Sequence, residues 1–464
     1  MPGGDSLRAR AQGRPRNARG HPGRPHERTG MNHPAQILYE IAAPLAPALL
    51  RLAAPFDDKI AETVETRRGI RDRWRERAGA LAGEGPLVWF HVSSVGEFLQ
   101  ATPVIDELAV RRPDVRIALT FTSPSGYNYL RRHDRSGQNE RILFVEYLPF
   151  DTRANARFCL DILRPDLVVY VKFDLWPALI AEASRRGVPQ ALVSATLSAN
   201  SRRLSPLARG WYGSLYRKLS AIAAISEEDA DRFARAAGGG VHVETAGDTR
   251  FDQVCRRVDT SSVEPPPALQ GDDRTLIVAG STWPRDEAVV VPGFARLRGD
   301  HPGTALILVP HEPTPARLAE IERSLDAEKL PFVLLSRLGS DPPAEPVVVA
   351  DGLGYLAELY RVGTAAYVGG SFTTGVHNVM EPAVLGLPVF FGPRIENSWE
   401  ALRLAEAGTG RVVDSPSTFA AGLAALLDDR FLLERRGREA AAFVRNHCGA
   451  APRCVDLLLT CLET

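Results

Sequence analysis

The chain has 464 residues, 44% hydrophobic and 24% charged, and its 56 basic side chains are matched by 56 acidic ones. That length predicts about two to three domains with a core that needs no staples, and the zero net charge argues against a general nucleic-acid binder. Five cysteines, at 159, 255, 448, 454 and 461 with no CxxC pair, argue against a disulfide scaffold or a zinc knuckle and fit a reducing compartment.

Residues 1–30 hold seven arginines against two acids, with abundant Gly and Pro and almost nothing to bury. Such a segment cannot offset its ordering entropy and is predicted to be disordered. Because Met31 follows directly, it reads either as an upstream translation artefact or as a basic arm for anionic lipid. From Gln36 to Phe56 the chain is apolar, but Glu40, Arg51, Pro44 and Pro47 interrupt a membrane span. Ile37, Leu38, Ile41, Leu45, Leu49 and Leu52 fall near helical spacing, which suits either an element lying in a membrane interface or a helix docked on the protein's own core. No cleavage site marks a secretory signal.

Short apolar runs then alternate with helix-length segments: 87–92, 115–121, 141–148, 166–171 and 189–195 read as strands, with helices over 97–111 and 176–186. That pattern indicates a parallel sheet covered on both faces. After a Pro/Ser-rich break at 259–271 it restarts, with strands over 275–280, 304–310, 331–336, 346–350, 365–370 and 388–392. The fold class is therefore α/β, with two Rossmann-like lobes facing across a cleft. The expected division is a tail over 1–30, a membrane-associated segment over 31–60, a first lobe over 61–258, a second over 272–440, and a last helical stretch over 441–464 packing back on the first lobe. Ligands in such sheets bind outside the carboxyl ends of the strands.

Four loops at those ends could carry chemistry. In HVSSVGEFLQ, Ser94 and Glu97 have capping-box spacing, while the same Glu97 could serve as a general base in the cleft; spacing alone leaves both open. In GSTWPRDE, Gly280, Ser281 and Thr282 offer backbone amides and hydroxyls to an anion, with no nucleotide P-loop pattern. In YVGGSFTTGVHNVMEP, glycines precede His377, Asn378 and a helix whose first turn holds Glu381. A phosphate would suit that helix start, and Glu381 could accept from ribose hydroxyls or simply favour the helix dipole. His377 and Glu381 stand i,i+4, yet no third ligand is near for a metal. Pro310 and His311 follow the strand over 304–310, and no hydrolase triad is visible.

Together these segments resemble the 3-deoxy-D-manno-octulosonic acid (Kdo) transferases, glycosyltransferase family 30. The resemblance runs from residue 37 to about 460 and rests on HVSSVGEFLQATPVI, TFTSPSGY (120–127), the stretch from Tyr147 to Pro177, SATLSANS (194–201), GDTRFDQV (247–254), GSTWPRDE (280–287), PHEP (310–313), VGGSFTTGVHNVMEP (368–382) and NHCGA (446–450). Its wording is similar to the Bacteroidetes-type branch. The resemblance implies a GT-B fold and transfer of Kdo from CMP-Kdo to a lipid A precursor at the cytoplasmic face of the inner membrane, with inversion. It makes Glu97 the base. It assigns donor contacts to Ser281, Thr282, Pro310, His311, Leu353, Gly354, Tyr355, Gly370, Ser371, Asn378, Val379, Met380 and Glu381, and acceptor contacts to Ser94, Gly96, Asp174 and Ser198. No metal or other cofactor is implied, and no nucleic-acid partner.

The chain departs from the usual family pattern at four places. His311 follows Pro310 where an arginine is usual, so Arg285 or Arg394 is expected to compensate toward the donor phosphate. Asp174 replaces a Glu before Leu-Trp-Pro, Thr196 replaces an Arg before Leu-Ser, and Tyr355 stands where many members carry Glu. Competing readings are another GT-B enzyme, of the lipid A disaccharide synthase or UDP-sugar 2-epimerase kind, and a catalytically silent CMP-binding relative.

Overall fold

Residues 33–133, 142–261 and 263–463 are described by a computed structural model; the tail expected over 1–30 lies outside them. Seven parallel strands form the first sheet: β1 (Leu87–Val92), β2 (Arg116–Phe121), β3 (Ile142–Tyr147), β4 (Leu167–Val171), β5 (Gln190–Ala195), β6 (Ala221–Ala224) and β7 (His242–Thr245), in the order β3-β2-β1-β4-β5-β6-β7. Seven more form the second: β8 (Thr275–Thr282), β9 (Thr304–Pro310), β10 (Phe332–Leu334), β11 (Val347–Val349), β12 (Ala365–Val368), β13 (Val389–Phe391) and β14 (Gly410–Val412), in the order β10-β11-β9-β8-β12-β13-β14. Every pairing is parallel. The central strands β1 and β4 are buried along their whole length, as strands covered by helices on both faces must be. Strand order reverses between β1 and β4 and between β8 and β12, and the loops leaving those strands open the crevices where ligands sit in such sheets.

The helix Thr249–Thr260 belongs to both halves. The Thr249 hydroxyl donates to the Gln100 carbonyl at 2.8 Å and lies 2.6 Å from the Ser194 hydroxyl, which bolts it to the first lobe. Phe251, Val254 and Cys255 pack with Val376, Val379 and Met380 of the second. The helix Arg430–Asn446 buries Ala440 and Val444 in that same cluster, and the chain then crosses over. The last helix, Ala450–Leu462, buries Cys454, Val455 and Leu458 in the core of the first sheet. Asp252 fixes the crossover by accepting from the backbone of Gly449 at 2.8 Å and Ala450 at 3.1 Å.

The apolar N-terminal stretch is a run of helical pieces from Pro34 to Phe56, long and apolar enough to cross a membrane by length and composition. Pro44, Pro47 and Pro55 each sit in the first turn of a piece, where a missing N–H costs little. One edge docks on the first lobe: Gln36 donates to the Pro177 carbonyl, Tyr39 to Asp151 at 2.8 Å, and Glu40 pairs with Arg185 at 2.8 Å. The other face leaves Ile37, Leu38, Ile41, Leu45, Leu49, Leu52 and Phe56 exposed. The two sequence-level alternatives for this segment therefore combine, a docked polar edge backing an outward apolar face.

Candidate active site

At the carboxyl end of β1, the Ser94 hydroxyl accepts from the Glu97 amide at 3.3 Å and caps the helix Val95–Arg111. The Glu97 carboxylate reaches back one residue further, to the Ser93 amide at 2.5 Å. It is buried, and burial together with the nearby Asp174 carboxylate lifts its pKa to about 7, against the pull of the Ser93 amide and Lys172. Such a group is half ionised near neutral pH, the condition a general base needs. Burial also raises the pKa of Asp174, opposed by Arg203 and Lys172. Lys172, at the end of β4, holds φ at +66°, a left-handed conformation that costs a side-chain-bearing residue energy. Gly96 lines the cleft between the lobes. Ser198 stands apart on an exposed turn closed by the Ser201 amide.

On the second lobe the organising group is Asp286, fully buried in the first turn of the helix Pro284–Asp300. It accepts from the amides of Trp283 and Gly370, both at 2.9 Å, and from the Tyr367 hydroxyl at 2.8 Å. Gly370 has φ +98°, and a Cβ there would stand 2.5 Å from the Gly375 carbonyl, so only glycine fits. Three rings pack beside this loop: His311 stacks on Trp283 at 4.8 Å and on His377 at 4.6 Å. The Trp283 indole donates to His377 Nε2 at 3.0 Å, which leaves the proton of a neutral ring on Nδ1. Burial, then His311, pushes the His377 pKa down, so the ring is neutral near pH 7. His311, which follows Pro310 at the end of β9, thus stacks on a hydrogen-bonded Trp283–His377 pair.

The remaining residues expected on the donor side divide by location. Asn378, Val379 and Met380 line the cleft. Ser371 is buried and accepts from the Gly392 amide at 2.6 Å, Thr282 is buried and donates to Glu287 at 2.9 Å, and Ser281, directly before Thr282, is left-handed at φ +53°. Leu353, Gly354 and Tyr355 form an exposed loop ahead of the helix Leu356–Tyr360, outside the cleft lining. The helix start near Asn378 differs from the expected phosphate cradle: the helix Met380–Val384 is five residues long, and its Met380 amide already donates to the Asn378 side chain at 3.0 Å. Glu381 pairs with Arg257 of the interlobe helix at 3.0 Å, and burial raises its pKa. Arg394 donates to the Thr373 carbonyl at 2.7 Å and braces the glycine loop, while Arg285 is exposed at its helix start. Among the described residues no three His, Cys, Asp or Glu side chains converge.

Between the lobes lies a cavity of about 310 Å³, walled by Gly96, Leu99 and Gln100 on one side and by Val376–Met380, Asn397, Ser398 and Glu400 on the other. Arg250 spans it, donating to Asp248 at 2.8 Å and to Glu400 at 2.6 Å. Trp283, Asp286 and Arg250 sit inside segments singled out from the sequence, but no spacing rule assigns them a task; the ring stack and the interlobe pair exist only once the chain folds.

A family model described as 3-deoxy-D-manno-octulosonic-acid transferase matches residues 72–253. A Bordetella pertussis protein named 3-deoxy-D-manno-octulosonic acid transferase is 30% identical over 396 residues, covering 82% of this chain and 89% of its own length. One of the same name from Haemophilus influenzae is 27% identical over 406 residues, with 86% and 92% covered. Among solved structures, a UDP-GlcNAc 2-epimerase from Neisseria meningitidis superposes with a TM-score of 0.58 at 15% identity, over 81% of this chain and all of that one. A putative epimerase from Listeria monocytogenes gives 0.57, also at 15% identity, over 82% and 97%. At such identities these structures establish the shared two-lobed GT-B-like fold alone.

Proposed function

The chain belongs to the 3-deoxy-D-manno-octulosonic acid (Kdo) transferase family, and from that premise we propose that it moves Kdo from CMP-Kdo to a hydroxyl of a lipid A precursor with inversion at the anomeric carbon. It is a glycosyltransferase. The observation that carries the mechanism is Glu97: a buried carboxylate with a pKa of about 7, fixed by the Ser93 amide, at the point where strand order reverses. In the proposed step Glu97 takes the proton from the acceptor hydroxyl. That oxygen attacks the anomeric carbon while the bond to the CMP phosphate breaks, and the electron pair leaves on that phosphate. Asp174 keeps Glu97 basic enough to act, and the glycine loop held by Asp286, with the Trp283–His311–His377 stack, forms the donor side. One phosphate leaves, so a divalent metal has no second phosphate to bridge. The apolar face from Ile37 to Phe56 rests in the inner membrane from the cytoplasmic side and brings the site to a lipid-embedded acceptor.

The test is an end-point reaction in detergent with a tetra-acylated lipid A precursor, CMP-Kdo generated in situ, and product read by mass spectrometry. Once the coupled supply has made CMP-Kdo, EDTA is added before the protein. A gain of one or more Kdo masses, with NMR showing inverted anomeric configuration, is expected. No gain with competent substrates contradicts the proposal.

A further inference from the structure

On the first lobe the helix Arg209–Tyr216 packs against the helix Glu227–Ala237 at Gly213, where a Cβ would stand 2.3 Å from the Ala236 carbonyl. This backbone-level approach puts Arg209 and Arg217 beside Arg232 and Arg235. The four arginines line a surface hollow of about 550 Å³ whose lining contains no acidic residue. Arg217 donates to the Ala237 carbonyl at 2.7 Å, and Arg232 pairs with Asp229 at 3.0 Å. Arg209 and Arg235 have no carboxylate within ion-pair distance among the described residues. With Arg232 matched by Asp229, the three remaining cations around one hollow repel one another unless an anion enters, and guanidinium groups match phosphate oxygens in geometry as well as charge.

The surroundings say which kind of phosphate. His33, just ahead of the apolar helical run, stands against Gly210 on the rim, and Leu207 is 98% exposed beside Arg209. From the same run an aromatic path leads inward: Tyr39 meets Trp211 at 5.9 Å, and Trp211 meets Tyr212 at 5.2 Å. Arg203 lies 5.4 Å over Tyr212 and 5.2 Å over Phe173, whose ring also carries Lys172 at 5.0 Å. Lys172 is the cation whose charge reaches Glu97. We propose that the hollow lined by Arg209, Arg217, Arg232 and Arg235 is a binding site for the phosphate monoester of the lipid acceptor. The assignment rests on the transferase reading and deepens it: the anchor, the hollow and the aromatic path make one track that ends at the base.

The test compares the full-length protein with its Arg209→Gln/Arg235→Gln double variant, using a phosphorylated lipid acceptor and the same acceptor after phosphatase treatment. The parent is expected to prefer the phosphorylated form. The double variant loses that preference through a roughly tenfold rise in acceptor KM, with donor KM and melting temperature unchanged. Inorganic phosphate competes with the acceptor in the parent and not in the variant. A variant that keeps the preference overturns the assignment. So does a variant whose only defect is weaker binding to phosphatidylglycerol vesicles, since the arginines then serve bulk headgroups. If the parent transfers no Kdo, the transferase reading fails separately, and calorimetric binding of the two acceptor forms still decides the hollow: a phosphate-dependent difference in the parent alone upholds it, and equal binding by parent and variant overturns it.

Discussion

Glu97 is a single residue with two tasks, and they do not conflict. As a helix-start carboxylate it satisfies the Ser93 amide; as a buried acid beside Asp174 it holds its proton to about pH 7. As the proposed base it acts as the anion, so kcat is expected to rise as pH passes upward through about 7 and to level off above. Asp174→Asn removes the neighbouring negative charge, lets Glu97 ionise at lower pH, and moves that rising limb downward; Lys172→Met moves it upward. A pH–rate profile of the two variants checks both directions, and an unmoved limb in both would mean that Glu97 is not the titrating group. The sequence showed that Glu97 could cap or could catalyse, because Ser-x-x-Glu spacing is common to both. It could not show Asp174 at its side, 77 positions along the chain on another strand end. The same holds for His311, which reads as a poor substitute for arginine until the fold stacks it on Trp283 and His377.

The elements legible in the sequence were those with strong periodicity. β1, β2, β4 and β5 read as continuous apolar runs because they are buried on both faces. β6, β7 and β14 were not legible: they are three to four residues long, and β7 (His242–Thr245) is an edge strand without a buried side chain. Packing contacts between elements were equally silent. Gly437, mid-helix in Arg430–Asn446, reads as a weak point where Ala should gain about 1 kcal/mol of helix propensity. In the fold its Cβ would stand 2.0 Å from the Gly386 carbonyl, a backbone atom that cannot turn aside. The clash outweighs the propensity gain, so Gly437→Ala is expected to destabilise by about 1–3 kcal/mol in denaturant unfolding. A stabilised variant would show that the loop at Gly386 yields.

The whole molecule joins a two-lobed catalytic body to an apolar face that no other part of the described residues covers. Seven large apolar side chains between Ile37 and Phe56 are exposed on one side, while Gln36, Tyr39 and Glu40 hold the other side to the body. Leu49→Asp/Leu52→Asp is therefore expected to abolish flotation with phospholipid vesicles while sparing transfer to a detergent-dispersed acceptor; flotation equal to the parent would mean that this face does not meet the membrane. The central claim is that a cleft of this family's fold performs Kdo transfer with Glu97 as base, and the most direct measurement is kcat of Glu97→Gln at saturating donor and acceptor. The expected loss is about 10²–10⁴-fold, with CMP binding retained. The melting temperature at pH 8 should be equal or higher: the Glu97 pKa is raised in the fold from 4.5 to about 7, so its burial costs stability progressively above pH 4.5 and fully above about 7. A folded Glu97→Gln protein that turns over within threefold of the parent contradicts the account.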